Sequence, residues 1–225
     1  MGLELLLIIV IAIAGMIVQG RLQKVFAKYS RVMFHGGLTG REVAEKMLRD
    51  HGIRDVRVTN VSGHLTDHYN PANKTLNLSD SVYNSNSVAA AAVAAHECGH
   101  AVQHAEGYAF LKMRSALVPI VQFSSMFAQI VIILGLVMMN VFPSLYWIGI
   151  AMFFMIFLFS AITLPVEYNA SARALAWLER SNTLSTVELD QARTTLRWAA
   201  RTYLVAALSA LASLVYYLGF RGNNE

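Results

Sequence analysis

Four long apolar runs decide most of what this chain can fold into. Leu3–Val18 carries a single charge, Glu4, and Ala116–Met139 only Gln122, Gln129 and serines among polar groups. Leu145–Leu164 and Tyr203–Phe220 hold no charge at all. A hydrocarbon core takes roughly 20 apolar residues to cross as a helix, and the second, third and fourth runs approach or exceed that length. Together they explain a hydrophobic content of 56%, too high for an ordinary soluble domain of 225 residues. The first run is shorter. It lacks a basic leading region, and no clear small-x-small cleavage site precedes Arg21, so it reads as a retained anchor and not as a cleaved signal.

Charge gives these runs a direction. Arg21, Lys24, Lys28 and Arg31 follow the first, and Lys112 and Arg114 precede the second. Arg173, Arg180, Arg193, Arg197 and Arg201 fall between the third and fourth. By the positive-inside rule, 21–115 and 165–202 are cytoplasmic, while both termini and the Asn140–Ser144 turn face outward. The expected organisation is an anchor over 1–20, a cytoplasmic region over 21–115 and a transmembrane hairpin over 116–164. A cytoplasmic helical region over 165–202 and a last span with a short tail over 203–225 complete it. The net charge of +4 then reflects orientation in a bilayer; no clustered basic stripe exists to suggest a nucleic-acid partner. A channel or transporter would place ionisable groups deep in the spans, and none is there. The single cysteine, Cys98, fits a reducing compartment, and the small residues of the fourth span suit helix packing within or between chains.

Chemistry concentrates at His96-Glu97-Cys98-Gly99-His100. Ser85, Asn86 and Ser87 offer N-caps, and the alanine-rich stretch after them is a strong helix former. On a helix, residues four apart project from one face, so His96 and His100 can share one Zn²⁺. Glu97 then points beside the metal, where a general base would take a proton from metal-bound water. The bland alternative is two surface histidines flanking a glutamate. Cys98 lies about 200° around the helix from His96 and should face the core. Upstream, Thr39 caps an amphipathic helix over Gly40–His51 whose stripe is Val43, Ala44, Met47 and Leu48. Val56–Thr59 alternates like a strand, and His64–Tyr69 with Lys74–Ser79 reads as a β-hairpin. An edge strand beside a metal can hold an extended peptide, so Leu76, Asn77, Leu78 and Ser79 are candidate substrate-binding residues.

A catalytic zinc wants a third protein ligand. His104 shares the helix face but stands about 12 Å of axial rise from His96, too far along a straight helix to close the shell. His64 and His68 on the hairpin are geometrically possible. Glu167 is the better choice, because a hairpin through the membrane returns it to the side that holds His96 and His100, and Pro165 is placed to open a helix there. As a plain charge at a helix N-terminus it would contribute about 0.5 kcal/mol. His104, Tyr168, Asn169 and Arg173 are candidates to support the ligands or to stabilise an oxyanion.

These residues carry a resemblance. The stretch His96–His104, with Gly63-His64-Leu65-Thr66-Asp67-His68-Tyr69-Asn70-Pro71 before it and Leu164-Pro165-Val166-Glu167-Tyr168-Asn169-Ala170-Ser171 after it, resembles the YugP-type neutral zinc metallopeptidases of bacterial membranes. It is more distantly similar to the HtpX-type membrane proteases. The resemblance spans nearly the whole chain and implies zinc on His96, His100 and Glu167, with Glu97 catalytic. Two departures stand out: relatives often carry an aliphatic residue at Cys98 and Asp at Asn169, the second of which bears on a hydrogen bond to a histidine ligand. The expected fold is a mainly α integral membrane protein of about four transmembrane helices with a small cytoplasmic α+β zincin-like domain. The expected function is zinc-dependent hydrolysis of peptide or membrane-protein substrates at the inner face of a bacterial cytoplasmic membrane. A non-catalytic zinc-binding scaffold is the rival; it would need the ligands but not Glu97.

Overall fold

A computed structural model describes residues 3–222, with side chains from Leu5 to Gly219. The start of the anchor at 1–2, the tail at 223–225 and the side chains of Glu4 and Arg221 lie outside the described residues. Four helices are long and apolar enough to cross a membrane: α1 (Leu3–Tyr29), α5 (Ala109–Val137), α6 (Pro143–Arg180) and α7 (Thr186–Gly222). Between α1 and α5 lie α2 (Gly40–Asp50), β1 (Arg57–Val61), β2 (His68–Asn70), β3 (Thr75–Ser79), α3 (Asp80–Tyr83) and α4 (Val88–Ala105). The chain forms two compact units.

Among the described residues, the first unit gathers those up to Ile17, Lys112–Pro165 and those from Thr202 to Gly222. Its α5 and α6 touch backbone to backbone. A Cβ on Gly135 would lie 2.5 Å from the Tyr146 backbone, so only glycine permits that approach. Ile132 and Tyr146 fill the seam, and the Tyr146 hydroxyl donates to the Tyr217 carbonyl on α7. Phe123, Met126, Val137 and other large apolar side chains point outward on these helices. A face of that kind is stable against hydrocarbon and not against water.

One expectation about this region needs correcting. Pro165 does not open a new helix; α6 runs through it without a break. Proline costs one i→i−4 bond, but the turns on both sides keep theirs, and apolar membrane helices commonly absorb that loss. Glu167 therefore sits inside a helix, where the favourable field of an N-terminus is not available to explain its charge.

The second unit comprises Val18–Leu111 and Val166–Arg201. At its centre is α4, buried nearly all round, which is why its sequence is alanine-rich: a helix with neighbours on every side is apolar on every side, and small side chains let those neighbours come close. Ser87 caps it by accepting from the Ala90 N–H. Against it lies α2, with Val43, Ala44, Met47 and Leu48 buried and a reciprocal capping box between Thr39 and Glu42. Cys98 faces this seam and donates to the Ala44 carbonyl. Trp177 on α6 joins the same core and donates to Asp50.

The sheet has the order β1-β3-β2. Strands β2 and β3 form the antiparallel hairpin, joined by residues 71–74, and β1 lies parallel to β3 on its other side. Leu76–Ser79 is therefore the central strand, contrary to the expectation that it offers an edge. Thr75–Asn77 pairs on both sides, while Leu78 and Ser79 pair with β1 alone and the Ser79 N–H donates to Asp67. Leu76 and Leu78 enter the core, and Asn77 is engaged with Thr59 and His68. Hydrophobic alternation could not reveal this, because strand order depends on where β1 docks. The edge nearer α4 belongs to β2.

Candidate metal centre

Helix geometry puts His96 and His100 one turn apart on α4, their rings edge to face with centroids 4.9 Å apart. Facing them, α6 presents Glu167, which is 2% exposed. Its Oε2 lies 3.2 Å from His96 Nε2 and 3.5 Å from His100 Nε2. One ligand atom from each residue falls within 4.8 Å of the others. Zinc bonds of about 2.0 Å at tetrahedral angles would set neighbouring ligand atoms about 3.3 Å apart, so the carboxylate stands where a shared ion requires. Two imidazoles and a carboxylate are also the borderline donor set that zinc prefers.

The two helices meet this closely because of small residues. A Cβ on Gly99, between the histidines, would lie 2.6 Å from the Ala170 carbonyl oxygen and 3.0 Å from its Cα. Both obstacles are backbone, so neither can rotate away. Gly99→Ala is expected to push α4 from α6, at a cost of about 1–3 kcal/mol. Its thermal unfolding midpoint should fall and its zinc content should drop with it, while a wild-type zinc content would show that the spacing does not matter.

Glu97 is buried beside the cluster and accepts the Tyr69 N–H through Oε2 at 3.1 Å. Burial pushes its carboxyl above the ordinary range, against the pull of His96 and His100. That tie also brings the outer edge of β2 alongside the helix. Behind the histidines stand supports that spacing did not single out. Ser171 Oγ lies 3.1 Å from His96 Nδ1, and Gln103 Oε1 lies 3.0 Å from His100 Nδ1. Gln103 follows His100 by three residues and so shares its face. Ser171 follows Glu167 by four, a weaker signal of the same kind.

The remaining candidates fall in different places. His64 is exposed and stacks edge-on to Phe26, while the His68 ring is engaged with Thr66 and Asn77; neither joins the cluster. His104 is exposed, with Nδ1 2.8 Å from the Tyr69 hydroxyl. Tyr168 is half exposed. Asn169 touches neither histidine ligand: its Oδ1 accepts from Gln103 Nε2 and Arg173 Nε, and it reaches His100 only through Gln103. Arg173 also pairs with Glu106 at the end of α4.

A buried His₂–carboxylate cluster with a second glutamate at its flank, in a chain whose described residues include four membrane-length helices, has the donor set of a zinc-binding protein. Residues 4–221 match the family described as "Putative neutral zinc metallopeptidase", and the chain belongs to it. A relative from Bacillus subtilis (strain 168), described as "Putative membrane protease YugP", is 38% identical over 200 residues, covering 89% of this chain and 88% of its own. No solved structure matches. Zinc is the metal that the family and the donor set agree upon.

Proposed function

We propose that this protein is a zinc endopeptidase of a bacterial cytoplasmic membrane that cleaves peptide bonds at the inner face. The observation that carries the reading is the buried cluster of His96, His100 and Glu167 with the Glu97 carboxylate beside it. Those three residues would hold the ion. When bound, zinc supplies a Lewis acid that acidifies water and polarises a carbonyl. Glu97, already pushed toward a higher affinity for protons by burial, accepts the proton of the attacking water and passes it to the departing amine. The Tyr69 N–H holds one oxygen of that carboxylate, which leaves the other for the proton. The substrate backbone is expected beside Tyr69, where the outer edge of β2 meets the site.

Placement at the inner face rests on the basic residues that flank the spans, Arg21 to Arg31 and Arg173 to Arg201. The test uses the purified full chain with detergent-solubilised membrane proteins, followed by mass spectrometry of new peptide N-termini. Zinc-loaded protein should generate such termini, chelator treatment should abolish them and added zinc should restore them. Termini that persist without metal, or that never form, would overturn the reading.

A further inference from the structure

We propose that Gln103 is a positioning residue that fixes which nitrogen of His100 faces the metal, and that it belongs to a polar relay ending at the surface pair Arg173–Glu106. The inference rests on the metal-centre reading above and concerns how this chain prepares its own ligand.

The side-chain amide of Gln103 is fully buried between α4 and α6. On one side it meets the Val166 carbonyl at 2.8 Å and Asn169 Oδ1 at 2.9 Å; on the other it meets His100 Nδ1 at 3.0 Å. A backbone carbonyl can only accept, so the group facing Val166 must be the NH₂. The polarity of Asn169 is fixed in the same manner, since the guanidinium Nε of Arg173, 2.7 Å away, can only donate. Arg173 is in turn held by Glu106 at 2.7 Å, a carboxylate at the C-terminal end of α4. Each direction follows from a group with a single role. Turning the Gln103 amide over would set two acceptors against each other at Val166, and burial would make that costly.

With its NH₂ committed, Gln103 has only Oε1 to offer His100. The His100 Nδ1 must then carry a hydrogen, and Nε2, the atom 3.5 Å from Glu167 Oε2, presents its lone pair to the ligand cluster. His96 has a less decisive partner. The Ser171 hydroxyl 3.1 Å from its Nδ1 can rotate to donate or to accept, so it steadies the ring without choosing the tautomer. The amide at position 103 makes the choice for His100 alone. It also explains the Asn169 departure: what that position must supply is an acceptor for Gln103 and Arg173, and an asparagine turned by Arg173 supplies it as well as an aspartate would.

The experiment begins with the zinc stoichiometry of the purified full-length protein, then measures zinc affinity by competition with a chromophoric chelator for wild type, Gln103→Met and Asn169→Asp. Methionine keeps the length and removes the acceptor; the expected loss is roughly 10–100-fold in zinc affinity. Asn169→Asp keeps both acceptor contacts, and its affinity should match wild type. In parallel, ¹⁵N-histidine spectra of the zinc-loaded wild type should assign the hydrogen of His100 to Nδ1. A hydrogen on Nε2, or unchanged affinity in Gln103→Met, overturns the proposal. If Gln103→Met does not fold, the wild-type tautomer decides alone. Wild-type protein that binds no zinc would overturn the metal-centre reading itself, a distinct result read before any variant.

Discussion

Glu97→Gln is expected to lower peptide hydrolysis by a factor of about 10²–10⁴ while zinc stays bound. Glutamine has nearly the shape of glutamate, and its amide oxygen can still accept the Tyr69 N–H, so the helix and the three ligands keep their places. What it loses is the ability to take a proton from water. Metal content and activity should therefore separate in this variant, measured by elemental analysis and by release of peptide termini. Hydrolysis at the wild-type rate would remove Glu97 from the chemistry. Loss of zinc together with activity would instead mean that Glu97 helps to hold the site. A zinc-binding scaffold would tolerate the exchange without any functional change.

Glu167→Ala should act in the opposite sense and strip the metal. The residue is the cluster's one carboxylate, and it faces both imidazoles. Removing an outer partner of a ligand already costs 10–100-fold, so losing a ligand is expected to weaken zinc binding by more than about 100-fold. Stoichiometric zinc would become substoichiometric, and activity would fall with it. Retained zinc would redirect attention to His64 or His68, although both stand apart from the cluster.

Local rules carried much of the site. A three-residue interval between His96 and His100, a serine cap and an alanine-rich run suffice to place two imidazoles on one helix face, because helix pitch is fixed by backbone geometry. The apolar runs likewise set four membrane-length helices, since a hydrocarbon solvent leaves little else for such segments. The β-hairpin was legible from alternation and its Asn-Pro turn. Strand order was not: β1 pairs in parallel with β3 after a connection that alternation does not describe, and it takes the edge from Leu76–Ser79. The supporting residues were hidden for a similar reason. Gln103 and Ser171 acquire their meaning only when α4 and α6 lie side by side.

The sequence by itself determined the histidine pair on α4, the glutamate beside it and the number of membrane-length helices among the described residues, all properties of spacing and hydropathy within one segment. Only the tertiary structure decided that Glu167 closes the site from the interior of a continuous α6, that β2 supplies the nearby edge, and that Gln103 commits its NH₂ to the Val166 carbonyl. Those relations join residues more than 25 positions apart, from Tyr69 and Glu97 to His100 and Glu167. They depend on how closely Gly99 and Ala170 let two backbones meet, a distance set by packing and not by any local periodicity.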